Sequence, residues 1–98
     1  MKVEGLTAPI KAKVPKLLLQ RLKSEAKREG TTTSRLFRWY LSRHLVALEE
    51  GFAVTRGDVA ALHVKVTPQH LALFEAKRAS LECSVPELVA AVLIREFA

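Results

Sequence analysis

The sequence predicts a mainly α-helical fold with a short two-stranded antiparallel ribbon, built from a strand-helix-helix unit that occurs twice. Three observations support this prediction. Apolar and polar residues alternate with the period of a strand at two places, and amphipathic helical patterns follow each of them. The two halves also align without gaps when Ile10 is placed on Leu62, so that apolar positions largely coincide. We therefore predict one compact domain over 1–98, with units at 10–48 and 61–98 and a linker at 49–60.

Composition and charge narrow the class of protein. Sixteen Lys+Arg against ten Asp+Glu give a net charge of +6, and residues 1–50 carry eleven of those cations against five acids. A single cysteine excludes a disulfide framework and a cysteine-rich zinc site, and the histidines lack ligand spacing, so we predict no metal and no cofactor. The sequence shows no catalytic grouping, such as a Ser/His/Asp motif or a glycine-rich phosphate loop, and we predict no enzyme activity.

The longest apolar run, residues 88–94, is far shorter than the roughly 20 residues that span a membrane. Residues 1–15 lack the apolar segment of a secretory signal. We therefore expect a cytoplasmic protein that does not engage membranes.

Each unit begins with a predicted strand. Ile10 to Val14 alternate with lysines, and Leu62 to Val66 alternate in the same way. A proline follows each strand, which suits the first turn of a helix. Because a lone strand leaves half of its backbone groups unpaired, we expect the two strands to pair as an antiparallel ribbon. The linker reaches roughly 40 Å when extended, which is long enough for this pairing.

The first helices are predicted at about 16–29 and 68–81. Gly30 is a typical left-handed stop after the first of them, whereas Glu82 occupies the corresponding place after the second, so that turn must close by other means. The second helices begin at Thr32 and at Ser84, where Ser84 and Glu87 form a capping box. Their apolar stripes comprise Leu36, Phe37, Tyr40, Leu41, His44, Leu45 and Leu48 in unit one, and Leu88, Val89, Val92, Leu93 and Phe97 in unit two.

If the helices cover one face of the ribbon, the alternation divides the strand residues into two sets. The predicted buried set is Ile10, Ala12, Val14, Leu62, Val64 and Val66. The predicted outward set is Lys11, Lys13, His63, Lys65 and Thr67. A cationic face that the fold leaves uncovered suits an anionic partner. The alternative is that the lysines only protect the ribbon from edge pairing.

This order of elements resembles the ribbon-helix-helix family, also called the MetJ/Arc superfamily. Residues 26–37 (AKREGTTTSRLF) carry the likeness best, and residues 83–89 (CSVPELV) are a degenerate second copy. The resemblance implies a tandem, single-chain βαα-βαα pseudo-dimer whose ribbon enters the major groove of double-stranded DNA. It implies base contacts from the outward set above. It implies phosphate contacts at the N-termini of the second helices, by Thr31, Thr32, Thr33, Ser34, Arg35, Cys83 and Ser84.

The chain departs from the family pattern in the small residue Ala12, in Glu82 at the turn, and in the acids Glu82 and Glu87 beside the second phosphate position. These acids make unit two the poorer DNA anchor. Because the two strands differ, we expect a target without two-fold symmetry.

The function predicted from this resemblance is sequence-specific DNA binding, most simply as a transcriptional repressor. A partition protein, a relaxosome accessory protein or an antitoxin is the alternative, the last less favoured because the sequence ends at Ala98, directly after the final helix. An alternative of another class is a helical protein–protein adaptor that uses Phe37, Trp39, Tyr40 and Phe52. One chain completes one ribbon, so we expect a monomeric pseudo-dimer or a higher homo-oligomer on DNA.

Overall fold

The computed structural model describes residues 8–53 and 58–97, and its elements follow the order strand, helix, helix, repeated once. The first half contains β1 (Ala8–Pro15), α1 (Lys16–Arg28) and α2 (Thr33–His44), which continues into a short 3-10 turn (Leu45–Ala47). The second half contains β2 (Val59–Val66), α3 (Pro68–Leu81) and α4 (Val85–Phe97). The prediction of a mainly helical fold with a two-stranded antiparallel ribbon is confirmed.

The ribbon is longer than the alternation alone indicated. β1 and β2 pair in antiparallel register with Lys11 opposite His63, and the pairing continues as far as Pro15 opposite Val59. Both strands therefore have eight residues. Because backbone pairing extends β2 to Val59, this strand begins inside the segment predicted as linker, 49–60. Residues 54–57 of that segment lie outside the described residues.

The two prolines of β1 fit the hydrogen-bond pattern of the ribbon. The N–H and C=O of Lys65 bond to side chains of α2 instead of to β1, so Pro9 and Lys65 form a pair without ladder hydrogen bonds. Every second pair of an antiparallel ladder lacks these hydrogen bonds. Pro15 follows Pro9 by six residues, so the pair that it forms with Val59 also lacks them. At the next position the N–H of Lys16 donates to the C=O of Asp58 at 2.7 Å. Both prolines thus stand where the ladder needs no N–H.

The helices cover one face of the ribbon in a crossed arrangement. α2 packs on β2 and α4 packs on β1, and these two helices also pack on each other. Each unit's second helix therefore covers the other unit's strand, so neither unit completes its core alone. The strand residues predicted to be buried are all buried: Ile10, Ala12, Val14, Leu62, Val64 and Val66. The helical stripes are buried as predicted except for His44 and Phe97, which are half-buried.

The first helix of each unit ends in the same kind of turn. Gly30 and Glu82 both have left-handed backbones, with φ of 69° and 53°. After each of them, a backbone N–H donates back into the last helical turn, from Thr31 to the Ala26 carbonyl and from Cys83 to the Arg78 carbonyl. The turn at Glu82 therefore has the same hydrogen-bonded form as the turn at Gly30. Because Glu82 is not a glycine, its left-handed backbone is strained.

Substitutions at these two turns should have opposite effects on stability. Glu82→Gly is expected to raise the free energy of unfolding by about 0.5–1 kcal/mol, because a left-handed non-glycine residue costs roughly 1–2 kcal/mol and glycine recovers part of this. Gly30→Ala is expected to lower it by about 1 kcal/mol through strain alone, since no atom lies within 4 Å of the added Cβ. Urea denaturation of both variants measures these changes, and two neutral results would contradict the left-handed turns.

Candidate nucleic-acid interface

The outward side of the ribbon gathers the cations of both strands. Lys11, Lys13, His63 and Lys65 are all exposed there, and we call these four residues the ribbon face. Lys11 stands opposite His63 at the centre, whereas Lys13 and Lys65 lie at the two ends on different strands. Neither strand contains an acidic residue. The antiparallel register thus places a lysine on each of three successive outward pairs, whereas the last outward pair, Pro15 with Val59, carries no charge.

Thr67, the fifth residue predicted for this surface, is instead a helix cap. β2 ends at Val66, and Thr67 is the N-cap of α3. Its Oγ1 accepts from the His70 N–H at 3.1 Å and lies 2.7 Å from His70 Nδ1. The prediction extended the period-2 alternation one residue past the end of the strand, where helix capping takes over.

The N-terminus of α2 lies beside the Lys65 end of the ribbon face. Ser34 Oγ accepts from the Lys65 N–H at 2.9 Å, and Arg38 Nη1 donates to the Lys65 C=O at 2.8 Å. The sequence predicted a phosphate contact for Ser34 and did not indicate either of these bonds to the strand. The partners are about thirty residues apart in sequence, and no local pattern indicates such a contact.

The first turn of α2 has free hydrogen-bond donors next to these two bonds to Lys65. Thr32 caps the helix by accepting from the Arg35 N–H at 3.1 Å. The N–H groups of Thr33 and Ser34 have no partner among the described residues, as is usual for a first helical turn. The side chain of Arg35 is exposed beside them. Unpaired N–H groups at the positive end of a helix dipole, together with a guanidinium, form a suitable site for a phosphate.

Thr31 does not belong to this group of donors. Its N–H donates to the Ala26 C=O at 2.9 Å in the turn that ends α1. Its Oγ1 is buried and has no hydrogen-bond partner among the described residues. Although the family pattern put Thr31 among the phosphate contacts, its N–H is used in the turn and its hydroxyl oxygen is buried.

The corresponding helix start in unit two is poorly suited to an anion. The Ser84 N–H donates to Glu87 Oε1 at 2.7 Å, and the Glu87 N–H donates to Ser84 Oγ at 3.3 Å, which confirms the capping box. The hydrogen bond that the Ser84 N–H donates to the carboxylate, followed by the nearby Ser84 hydroxyl, lowers the pKa of Glu87, so its carboxylate stays ionised. Pro86 brings no N–H to this turn. A negative side chain thus occupies the place that a phosphate would take.

Cys83 is also unavailable to a phosphate. Its N–H donates to the Arg78 C=O at 3.2 Å, and its side chain packs against the hydrophobic core. Gly51 lies close by, since a Cβ added there would come within 3.0 Å of the Cys83 Cβ. Burial, and then the Glu87 carboxylate, raise the pKa of the Cys83 thiol, so the thiol stays neutral.

The aromatic residues considered for an adaptor surface are divided between core and surface. Phe37 and Tyr40 are buried, and the Tyr40 ring stacks edge-on against Phe97 with centroids 5.7 Å apart. Burial is the main reason that the pKa of Tyr40 is raised to about 12. Trp39 and Phe52 remain about half exposed. The four rings therefore do not form one continuous binding surface.

Over residues 8–53 and 58–97, no helix has both the length and the apolar character needed to cross a membrane. No family model, no curated protein and no solved structure matches the chain.

Proposed function

We propose that this chain binds double-stranded DNA in a sequence-specific manner by inserting the ribbon face into the major groove. One observation carries this proposal: antiparallel pairing places Lys11, Lys13, His63 and Lys65 on a face that the four helices leave uncovered. The repeated strand-helix-helix order supports the further proposal that the fold is a single-chain ribbon-helix-helix pseudo-dimer.

The dimensions and chemistry of the ribbon face suit the major groove. This groove is about 12 Å wide and admits a two-stranded ribbon, whose strands lie about 4.8 Å apart. Lysine donates to guanine N7 and O6, and His63 donates or accepts according to its protonation. Each good base contact contributes about 1–3 kcal/mol of discrimination against a wrong base pair. Different residues at equivalent positions, Lys11 and His63, favour a target without two-fold symmetry.

A phosphate contact at the start of α2 would fix the protein on the duplex. The free N–H groups of Thr33 and Ser34 and the exposed Arg35 lie next to the strand that carries Lys65. Such contacts determine orientation and leave the base sequence to the ribbon. Unit two has Glu87 at the equivalent turn, so we propose that the backbone anchor is mainly on the side of unit one.

The simplest role for such a protein is a cytoplasmic repressor that acts by occupying its site. Partition proteins, relaxosome accessory proteins and antitoxins would use the same ribbon chemistry. A ribbon whose lysines only prevent edge pairing would instead show no preference for one duplex sequence over another.

Selection from a pool of random duplexes, followed by anisotropy titration, tests the proposal. We expect an enriched duplex to bind more tightly than a shuffled one of equal length. The logarithm of the binding constant should fall with the logarithm of salt concentration, with a slope of about 0.9 for each phosphate neutralised. Absence of binding to any duplex at low salt would rule the proposal out, and recovery of a protein partner without nucleic acid would favour the adaptor.

A further inference from the structure

The two ends of the ribbon face are held differently by the helices behind them. Lys13 and Lys65 occupy equivalent places in the two units. The backbone of Lys65 is held on both its polar groups, by Ser34 Oγ and by the Arg38 guanidinium. No side chain of a described residue bonds to the backbone of Lys13.

The sequence explains this difference. Shifting Ser34 and Arg38 by the offset that relates the two units leads to Pro86 and Ala90 on α4. Neither side chain can donate or accept a hydrogen bond. α4 therefore packs on β1 through apolar contacts, whereas α2 is also hydrogen-bonded to the outer edge of β2.

A strand edge without partners on its outer side moves more freely than one bonded to a packed helix. Ser34 and Arg38 belong to a helix whose neighbouring residues Leu36 and Phe37 are buried in the core. Their hydrogen bonds attach the Lys65 backbone to this packed helix and so fix the point from which the Lys65 side chain extends. Base discrimination needs polar groups held within about 0.5 Å of their productive positions.

We propose that Ser34 and Arg38 are positioning residues that act through Lys65 and make the Lys65 end of the ribbon the more discriminating one. This inference rests on the proposed DNA binding and deepens it. The target sequence should show its strongest base preferences under Lys65 and weaker preferences under Lys13. The specificity of the protein would then be directional along the duplex.

A thermodynamic cycle on the full chain tests the inference. The measured quantity is the specificity ratio, which is the affinity for the enriched duplex divided by the affinity for a shuffled duplex. Ser34→Ala should lower this ratio by roughly 3- to 10-fold, within the range of couplings between neighbouring residues. In the Lys65→Ala background Ser34→Ala should have no further effect, because the side chain that it positions is gone. In the Lys13→Ala background it should keep its full effect.

Two further variants separate positioning from a phosphate contact and from loss of structure. Ser34→Thr keeps the hydroxyl and should keep the ratio. Arg38→Gln should lower the ratio, whereas Arg35→Gln removes the same charge from the same helix and should weaken binding to both duplexes alike. An unchanged ratio in Ser34→Ala, or an equal loss in the Lys65→Ala and Lys13→Ala backgrounds, would overturn the inference while leaving DNA binding intact. If the wild-type chain binds no duplex, the proposed function fails and this inference fails with it.

Discussion

Replacing Lys13 and Lys65 together by alanine is expected to abolish specific binding to the enriched duplex while leaving the fold intact. The two lysines lie at opposite ends of the ribbon face and are exposed, so their removal does not disturb the core. Removing one lysine–base hydrogen bond should cost about 1–3 kcal/mol, or roughly 5- to 150-fold in affinity. The salt dependence should also become somewhat shallower, because two positive charges that help to displace counterions from the duplex are lost. Anisotropy titration at several salt concentrations measures both effects.

A matched control separates the position of these charges from their number. Lys23 and Lys27 are exposed on α1 and do not belong to the ribbon face, and replacing both by alanine removes the same total charge. This control should weaken binding to all duplexes slightly and leave the specificity ratio unchanged. Equal losses of affinity in the two double variants would show that the ribbon face has no special role.

Phe74→Ala is expected to cause a large loss of stability. Phe74 is fully buried, and it is the one buried residue of α3, a helix that lies wholly within the described part of the chain. Truncating a buried phenylalanine to alanine costs about 3–5 kcal/mol, because transfer energy is lost and a cavity remains. This is a large share of the roughly 5–15 kcal/mol that stabilises a typical domain. Chemical denaturation followed by circular dichroism measures the change.

The neighbouring residue provides the control. Leu73 is 59% exposed on the same helix, and Leu73→Ala should change the free energy of unfolding by less than about 1 kcal/mol. A similar loss in both variants would mean that α3 does not attach to the core through Phe74.

The sequence predicted the elements of this fold because their signals are local. Alternation at Ile10–Val14 and Leu62–Val66 reports which face of a strand is buried, and the capping box at Ser84 fixes the start of a helix. The pairing of the two strands was predicted on physical grounds, since a lone strand leaves half of its backbone groups unpaired and each unit alone is too small to complete a core.

The crossed packing of the helices and the bonds at Lys65 could not be predicted from such signals. That α2 would cover β2, and that Ser34 would meet Lys65, depends on how two distant segments approach each other in space. Short-range patterns contain no information on this approach.

The sequence predicted correctly which strand residues lie on the outward face of the ribbon, and it was less accurate at the helix ends beside that face. Lys11, Lys13, His63 and Lys65 lie where the alternation placed them. Extending a family pattern or a period by one residue added Thr31, Thr67 and Cys83 to the predicted interface. The N–H groups of Thr31 and Cys83 and the hydroxyl of Thr67 instead form hydrogen bonds at helix ends. Helix termini compete for the same polar groups that a ligand would need.

Chemical-shift mapping can establish whether the ribbon face itself meets DNA. Amide spectra of the ¹⁵N-labelled chain should be recorded during titration with the enriched duplex. We expect the largest shifts at residues 11–13, 63–65 and 33–35, with small changes on the exposed side of α3. Shifts confined to the helices, with the two strands unaffected at saturation, would contradict insertion of the ribbon into the major groove.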